Sequence, residues 1–155
     1  MKQKKERVSI KNYQKLAMRT CMKSCRNKDY AYWGHKSEYA ELESKLYGFK
    51  AKKIRGDSEE KLAELKHQIV EELGDCFWFV ALKCTLAKKP FEKLYKCKET
   101  DANGAVEIDL KQYIECLKSW CRIQKITPLK CMQMNINKLA SRKERGKITG
   151  NGDER

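Results

Sequence analysis

The stretch Leu65-Lys66-His67-Gln68-Ile69-Val70-Glu71-Glu72-Leu73-Gly74-Asp75-Cys76-Phe77-Trp78-Phe79-Val80-Ala81-Leu82 decides how this chain folds. On a helix at 100° per residue, with Leu65 at zero, Ile69 falls at about +40°, Leu73 at about +80°, Cys76 at about +20° and Val80 at about +60°. These residues make one apolar stripe. Glu72, at about −20°, lies inside the stripe, and Asp75, at about −80°, lies on its edge. Glu71, at about −120°, faces the far side and reads as an ordinary surface acid. A carboxylate turned toward an interior is costly unless something neutralises it. Glu72 and Asp75 therefore carry the question of function.

Helical signals extend in both directions from this segment. Upstream, Asp57 or Ser58 caps the helix, and Asp57 with Glu60 has the spacing of a capping box. Downstream it runs to about Lys88 and stops at Pro90. Before it, a helix is expected from Ser9 to about Arg26, with Ile10, Leu16, Ala17 and Cys21 as core positions. A second follows the Asn27-Lys28-Asp29 turn, from about Tyr30 to Phe49, ended by a polar loop with Gly48 and Gly56. Residues 89–107 are mixed, with the turn signal Thr100-Asp101-Ala102-Asn103-Gly104, and a helix from about Ile108 to Gln124 comes next. Thr127-Pro128, a cap followed by proline at the first helical position, opens a last helix to about Arg142. The glycine-rich residues 146–155 read as an extended loop. The 155 residues contain 8 Gly and 2 Pro, so helix breakers are scarce. The expectation is one all-α domain over residues 1–155, a bundle of about five helices whose core is completed by dimerisation.

The helix at 30–49 repeats the acidic pattern. Glu38 and Glu41 lie one turn apart, and Glu38 shares its arc with Ala31, His35 and Leu42. Lys45 follows Glu41 by four residues and is placed to pair with it. Two acid pairs facing an interior suit a divalent cation, since Mg²⁺ takes hard oxygen ligands and bridges carboxylates to substrate phosphate. The plainer alternative is that these acids sit half in solvent, paired with some of the 35 Lys and Arg.

Those 35 bases stand against 21 acids, a formal net charge of +14. Residues 1–28 hold ten bases and one acid, Glu6. Such clustering attracts polyanions, which makes a basic, helical nucleic-acid-binding protein the second reading. No helix-turn-helix, zinc-finger or RNA-binding sheet motif accompanies it. The longest apolar run, Cys76 to Leu82, is far too short to span a bilayer, which needs about 20 residues, so no membrane partner is expected. No apolar segment follows the basic start, and none of the eight cysteines forms a Cys-x-x-Cys pair. Reduced, structural thiols and a cytoplasmic location are the expectation.

Three segments make the pattern specific. Gly34-His35-Lys36-Ser37-Glu38-Tyr39-Ala40-Glu41-Leu42-Glu43-Ser44-Lys45, then Glu71-Glu72-Leu73-Gly74-Asp75-Cys76-Phe77-Trp78, then Asn135-Ile136-Asn137-Lys138-Leu139-Ala140-Ser141-Arg142 resemble the MazG-type nucleotide pyrophosphohydrolases. That all-α superfamily includes dimeric dUTPases and dCTP pyrophosphatases. The resemblance covers roughly residues 10–86 and 126–155, and the ending from Arg142 to Arg155 is similar to its short members.

The resemblance implies hydrolysis of a nucleoside triphosphate between the α- and β-phosphates, giving monophosphate and pyrophosphate. It implies Mg²⁺, with Mn²⁺ as the alternative ion, on Glu38, Glu41, Glu72 and Asp75. It further implies substrate contacts from Lys45, Trp78, Asn135, Lys138, Arg142 and Arg145, with Lys138 close to the chemistry. The working unit would be a homodimer or a dimer of dimers. Canonical, damaged or alarmone nucleotides such as (p)ppGpp all fit this implication. The sequence departs from the family pattern at Ser37 and Ala40, which replace small glycines, and at Phe79, which stands where tyrosine is usual. Residues 88–125 read as an insertion with four aromatics, Phe91, Tyr95, Tyr113 and Trp120, expected to pack on the bundle rather than cover a nucleotide.

Overall fold

The computed structural model describes residues 6–146, and Met1 to Lys5 and residues 147–155 lie outside the described residues. The elements are α1 (Tyr13–Thr20), α2 (Lys28–Arg55), α3 (Glu59–Leu86), α4 (Phe91–Lys96), α5 (Gly104–Ile123) and α6 (Pro128–Glu144), with short 3-10 turns at Lys23–Cys25 and Glu99–Asp101. No strand occurs among the described residues, so the all-α expectation holds. No described helix is long and apolar enough to cross a membrane.

Helix α3 is the axis of the molecule. Between Ile69 and Leu82 every residue is buried except Glu71 and Asp75. The expected stripe is thus too narrow, because α3 is covered by α1, α2, α5 and α6 on its several faces. Seven consecutive apolar residues from Cys76 to Leu82 leave no polar face, as a fully surrounded helix requires. Ile69, Leu73, Phe77 and Leu82 are among the largest fully buried side chains. Each contributes about 1.5–3 kcal/mol through apolar burial.

The caps follow the sequence with local shifts. Ser58 Oγ accepts from Lys61 N and caps α3, while Asp57 pairs with Arg55 instead. Thr127 caps α6 by accepting from Lys130 N, with Pro128 at the first helical position as expected. Helix α2 passes through Gly48 and ends at Gly56, whose φ of 75° is the left-handed geometry of a helix stop. The first helical segment is shorter than expected. Ser9 N donates to Asn12 Oδ1 and Asn12 N to Ser9 Oγ, α1 follows to Thr20, and the chain then tightens into a 3-10 turn.

Residues 88–125 pack on the bundle. Phe91 is fully buried with its ring edge-on to Tyr13 at 5.2 Å. Leu110, Ile114, Leu117 and Cys121 bury the inner face of α5. This helix starts earlier than expected, at Gly104, because Glu107 accepts from Asn103 N and pairs with Lys89.

Candidate functional site

The packing of α2 and α6 on α3 brings acids, bases and aromatics from separate segments into one cavity of about 780 Å³. Glu38 and Glu41 enter from α2, Glu72 and Asp75 from α3, and Asn135, Lys138 and Arg142 from α6. Carboxylate oxygens of Glu38, Glu72 and Asp75 lie within 4.8 Å of one another. Glu41 lines the same cavity but is exposed and stands outside this cluster, with Ser37 Oγ 3.5 Å from its carboxylate.

Two of the three clustered acids already have cations. Lys138 Nζ donates to Asp75 Oδ2 at 2.6 Å, and Asn135 Nδ2 donates to Asp75 Oδ1. Lys45 Nζ lies 3.3 Å from Glu72 Oε1 and also meets Gln68. The expected Lys45–Glu41 pair is therefore not formed. The long lysine stem reaches across to α3, where the buried carboxylate gains more from a cation than an exposed one does. Glu38 is left without an ionic partner among the described residues. Burial, then the charges of Asp75, Glu72 and Glu41, push its carboxyl up to about 8. Burial and Asp75 also raise Glu72, against the pull of Lys45.

Asn135 is 1 % exposed, and its Oδ1 is buried without a hydrogen-bond partner. A buried amide oxygen left unpaired costs about 1–3 kcal/mol. It lines the cavity beside the acids, so a hard cation or a donor on a ligand would satisfy it.

Helix proximity depends on Gly74. A Cβ there would lie 2.6 Å from Cys131 O and 2.9 Å from Asn135 Cβ, so only glycine lets α6 come this close to α3. This contact sets Asn135 and Lys138 against Asp75.

The remaining wall is aromatic. Tyr30, Trp33, Trp78 and Phe79 line the cavity with Met22. Trp78 is mostly a structural residue, since its Nε1 donates to Ala17 O and Thr20 Oγ1 and ties α3 to α1. Trp33 is 65 % exposed and offers an open face instead. Sequence reasoning missed Tyr30 as a lining residue, although the run Tyr30-Ala31-Tyr32-Trp33 is an aromatic signal. Arg145 is exposed and does not line the cavity; its Nε donates to Ser141 O on its own helix. Lys45 also stays outside the lining and acts through Glu72. No residue of 88–125 lines the cavity.

Behind Glu38, one helical turn earlier, His35 is buried with Nδ1 2.8 Å from Lys83 Nζ and its ring edge-on to Tyr113. Burial, then Lys83, holds the imidazole down to about 4, so it is neutral and packed behind the acids. All eight cysteines are free thiols.

Fold and site together define an all-α bundle whose central cavity sets a carboxylate cluster against lysine, arginine and aromatic side chains. The chain matches no protein-family model, no curated protein and no solved structure.

Proposed function

We propose that the cavity hydrolyses a nucleoside triphosphate between its α- and β-phosphates, releasing monophosphate and pyrophosphate, with Mg²⁺ or Mn²⁺ as cofactor. The observation that carries this reading is the meeting of Glu38, Glu72 and Asp75 in one cavity with Lys138, Arg142 and the open face of Trp33. The donor set fits a hard divalent cation: three carboxylates, one of them unpaired, and the orphaned Asn135 Oδ1. Glu38, Glu72 and Asp75 would hold it, with Glu41 at the rim. When bound, such a cation polarises phosphoryl oxygens and lowers the pKa of water.

The chain's own residues supply the rest. Lys138 and Arg142 place positive charge where negative charge grows on the leaving pyrophosphate. Trp33 and Tyr30 offer ring faces to a base. Water is the nucleophile in this reading, so no Ser or Cys nucleophile is required. The working unit in this reading is a homodimer or a dimer of dimers, supported by Tyr47 and Ile54, which stand 72 % and 78 % exposed on α2.

Pyrophosphate release from a panel of nucleotides, with and without Mg²⁺, tests the proposal. Glu72→Gln and Asp75→Asn should each lower the rate by about a hundredfold or more, since even outer-shell changes at metal sites cost 10–100-fold. Release of orthophosphate alone, or activity indifferent to both substitutions, would overturn it.

A further inference from the structure

The triphosphate site does not use the positive charge on α1. Tyr13 N donates to Ser9 O and Leu16 N to Asn12 O, so a helical path begins one turn before α1 proper. On that path Tyr13, Leu16, Ala17 and Met18 are buried, while Lys11, Lys15 and Arg19 are exposed at i, i+4 and i+8. They form one row on the outer face, spanning roughly 12 Å. Lys11 and Lys15 have no acidic partner among the described residues, and Arg19 pairs with Glu6 at 2.7 Å. The row leads to the cavity. Thr20, Cys21 and Met22, which follow Arg19 directly, line it. Lys143 Nζ donates to Arg19 O at 3.1 Å, and its neighbour Arg142 lines the cavity too.

The same cavity is bordered by an aromatic platform. Tyr32 and Trp33 are 48 % and 65 % exposed, with ring centroids 5.1 Å apart. Lys36 Nζ lies over both rings, 5.1 Å and 5.7 Å from their centroids. A basic row that leads to the cavity and exposed, cation-flanked aromatics at the cavity's border suit an unstacked strand, whose bases present ring faces. A duplex hides those faces, and a free mononucleotide is too short to use the row.

We propose that the outer face of α1 is a track for a single-stranded polynucleotide whose 5′-triphosphate end enters the cavity. This rests on the pyrophosphohydrolase reading for the fate of the end, and makes the hydrolysed nucleotide the first residue of a strand. The basic row contributes phosphate contacts without sequence preference.

The test uses the full chain and 3′-fluorescein oligouridylate of about twelve nucleotides, within the usual site size for such surfaces. Its 5′ end carries either triphosphate or hydroxyl, with oligodeoxythymidylate and a duplex of equal length as further probes. Anisotropy titrations at several salt concentrations should show the single strands binding more tightly than the duplex, and the triphosphate end most tightly. The two sugars separate RNA from DNA as the source of the strand. Lys11→Ala/Lys15→Ala should reduce the salt slope by about 1.4, near 0.7 for each phosphate that the variant no longer neutralises. Its pyrophosphate release from free nucleotides should stay at the wild-type rate. An unchanged slope in the double variant, tighter binding of the duplex, or equal affinity for the two 5′ ends would overturn the proposal. The two readings fail separately. Strand binding that persists without any pyrophosphate release sinks the enzyme reading, whereas pyrophosphate release with strand binding unaffected by the double variant sinks the track.

Discussion

Glu38 has three acidic neighbours, and Lys138 offsets them from its seat on Asp75. With its carboxyl pushed up to about 8 in the folded protein and an ordinary value near 4.5, the folded state binds a proton that the unfolded state lacks between those two pH values. Stability is therefore highest below pH 4.5 as far as this group is concerned, and falls as pH rises through 8. His35 works in the opposite direction, but only below its ordinary value near 6.5, because it is held down to about 4. Melting curves of the metal-free protein from about pH 7 to pH 9 isolate Glu38 from His35. Tm should drop across that range, Glu38→Gln should flatten the drop, and Mg²⁺ should restore stability by selecting the deprotonated carboxylate. Superimposable pH profiles for wild type and Glu38→Gln would refute the assignment.

At the scale of elements, the site depends on how closely α6 lies against α3, and Gly74 is the contact that permits it. Gly74→Ala gains helix propensity, about 1 kcal/mol, yet sets a methyl against the Cys131 carbonyl and the Asn135 side chain. Overpacking of this kind costs about 1–3 kcal/mol, and here the strained atoms include backbone that cannot rotate away. The variant should fold with a Tm no higher than wild type, while pyrophosphate release falls at least about tenfold through displacement of Asn135 and Lys138. A stabilised Gly74→Ala protein with full activity would show that the close approach is dispensable. The elements themselves are largely legible in the sequence. Thr127-Pro128 and Ser58 cap where their residue types suggest, because side-chain acceptors for free N–H groups are a local matter. Gly48 misleads because a helix tolerates glycine when a neighbour holds it, and α3 packs along α2. Gly56, with its positive φ, is the true stop. The site is legible where it rests on helical phase. Glu72 turns inward as its position on the wheel implies, and Ala31, His35 and Leu42 are buried on the arc assigned to Glu38. Pairing is not legible, because Lys45 meets Glu72 rather than Glu41 through a contact between two helices. The width of the buried surface on α3 also escapes, since periodicity reports one face and α3 is covered on several.

For the whole molecule, α2 raises the remaining question. It is the joint longest described helix, 28 residues, and its extensive contact is with α3. Tyr47 and Ile54, seven residues apart, stay 72 % and 78 % exposed beside that contact. Burying two such side chains against a second copy contributes about 1.5–3 kcal/mol each, enough to decide whether a dimer holds together. Sedimentation should find a dimer at micromolar concentration, and Tm should rise with protein concentration as mass action requires. Tyr47→Glu/Ile54→Glu should weaken association by roughly a hundredfold or more, a loss of about 3 kcal/mol. The double variant should keep its helical circular dichroism, since neither side chain belongs to the monomer core. Its Tm should no longer depend on concentration. A wild-type chain that sediments as a monomer at every concentration and still releases pyrophosphate would mean that α2 completes the site without a partner.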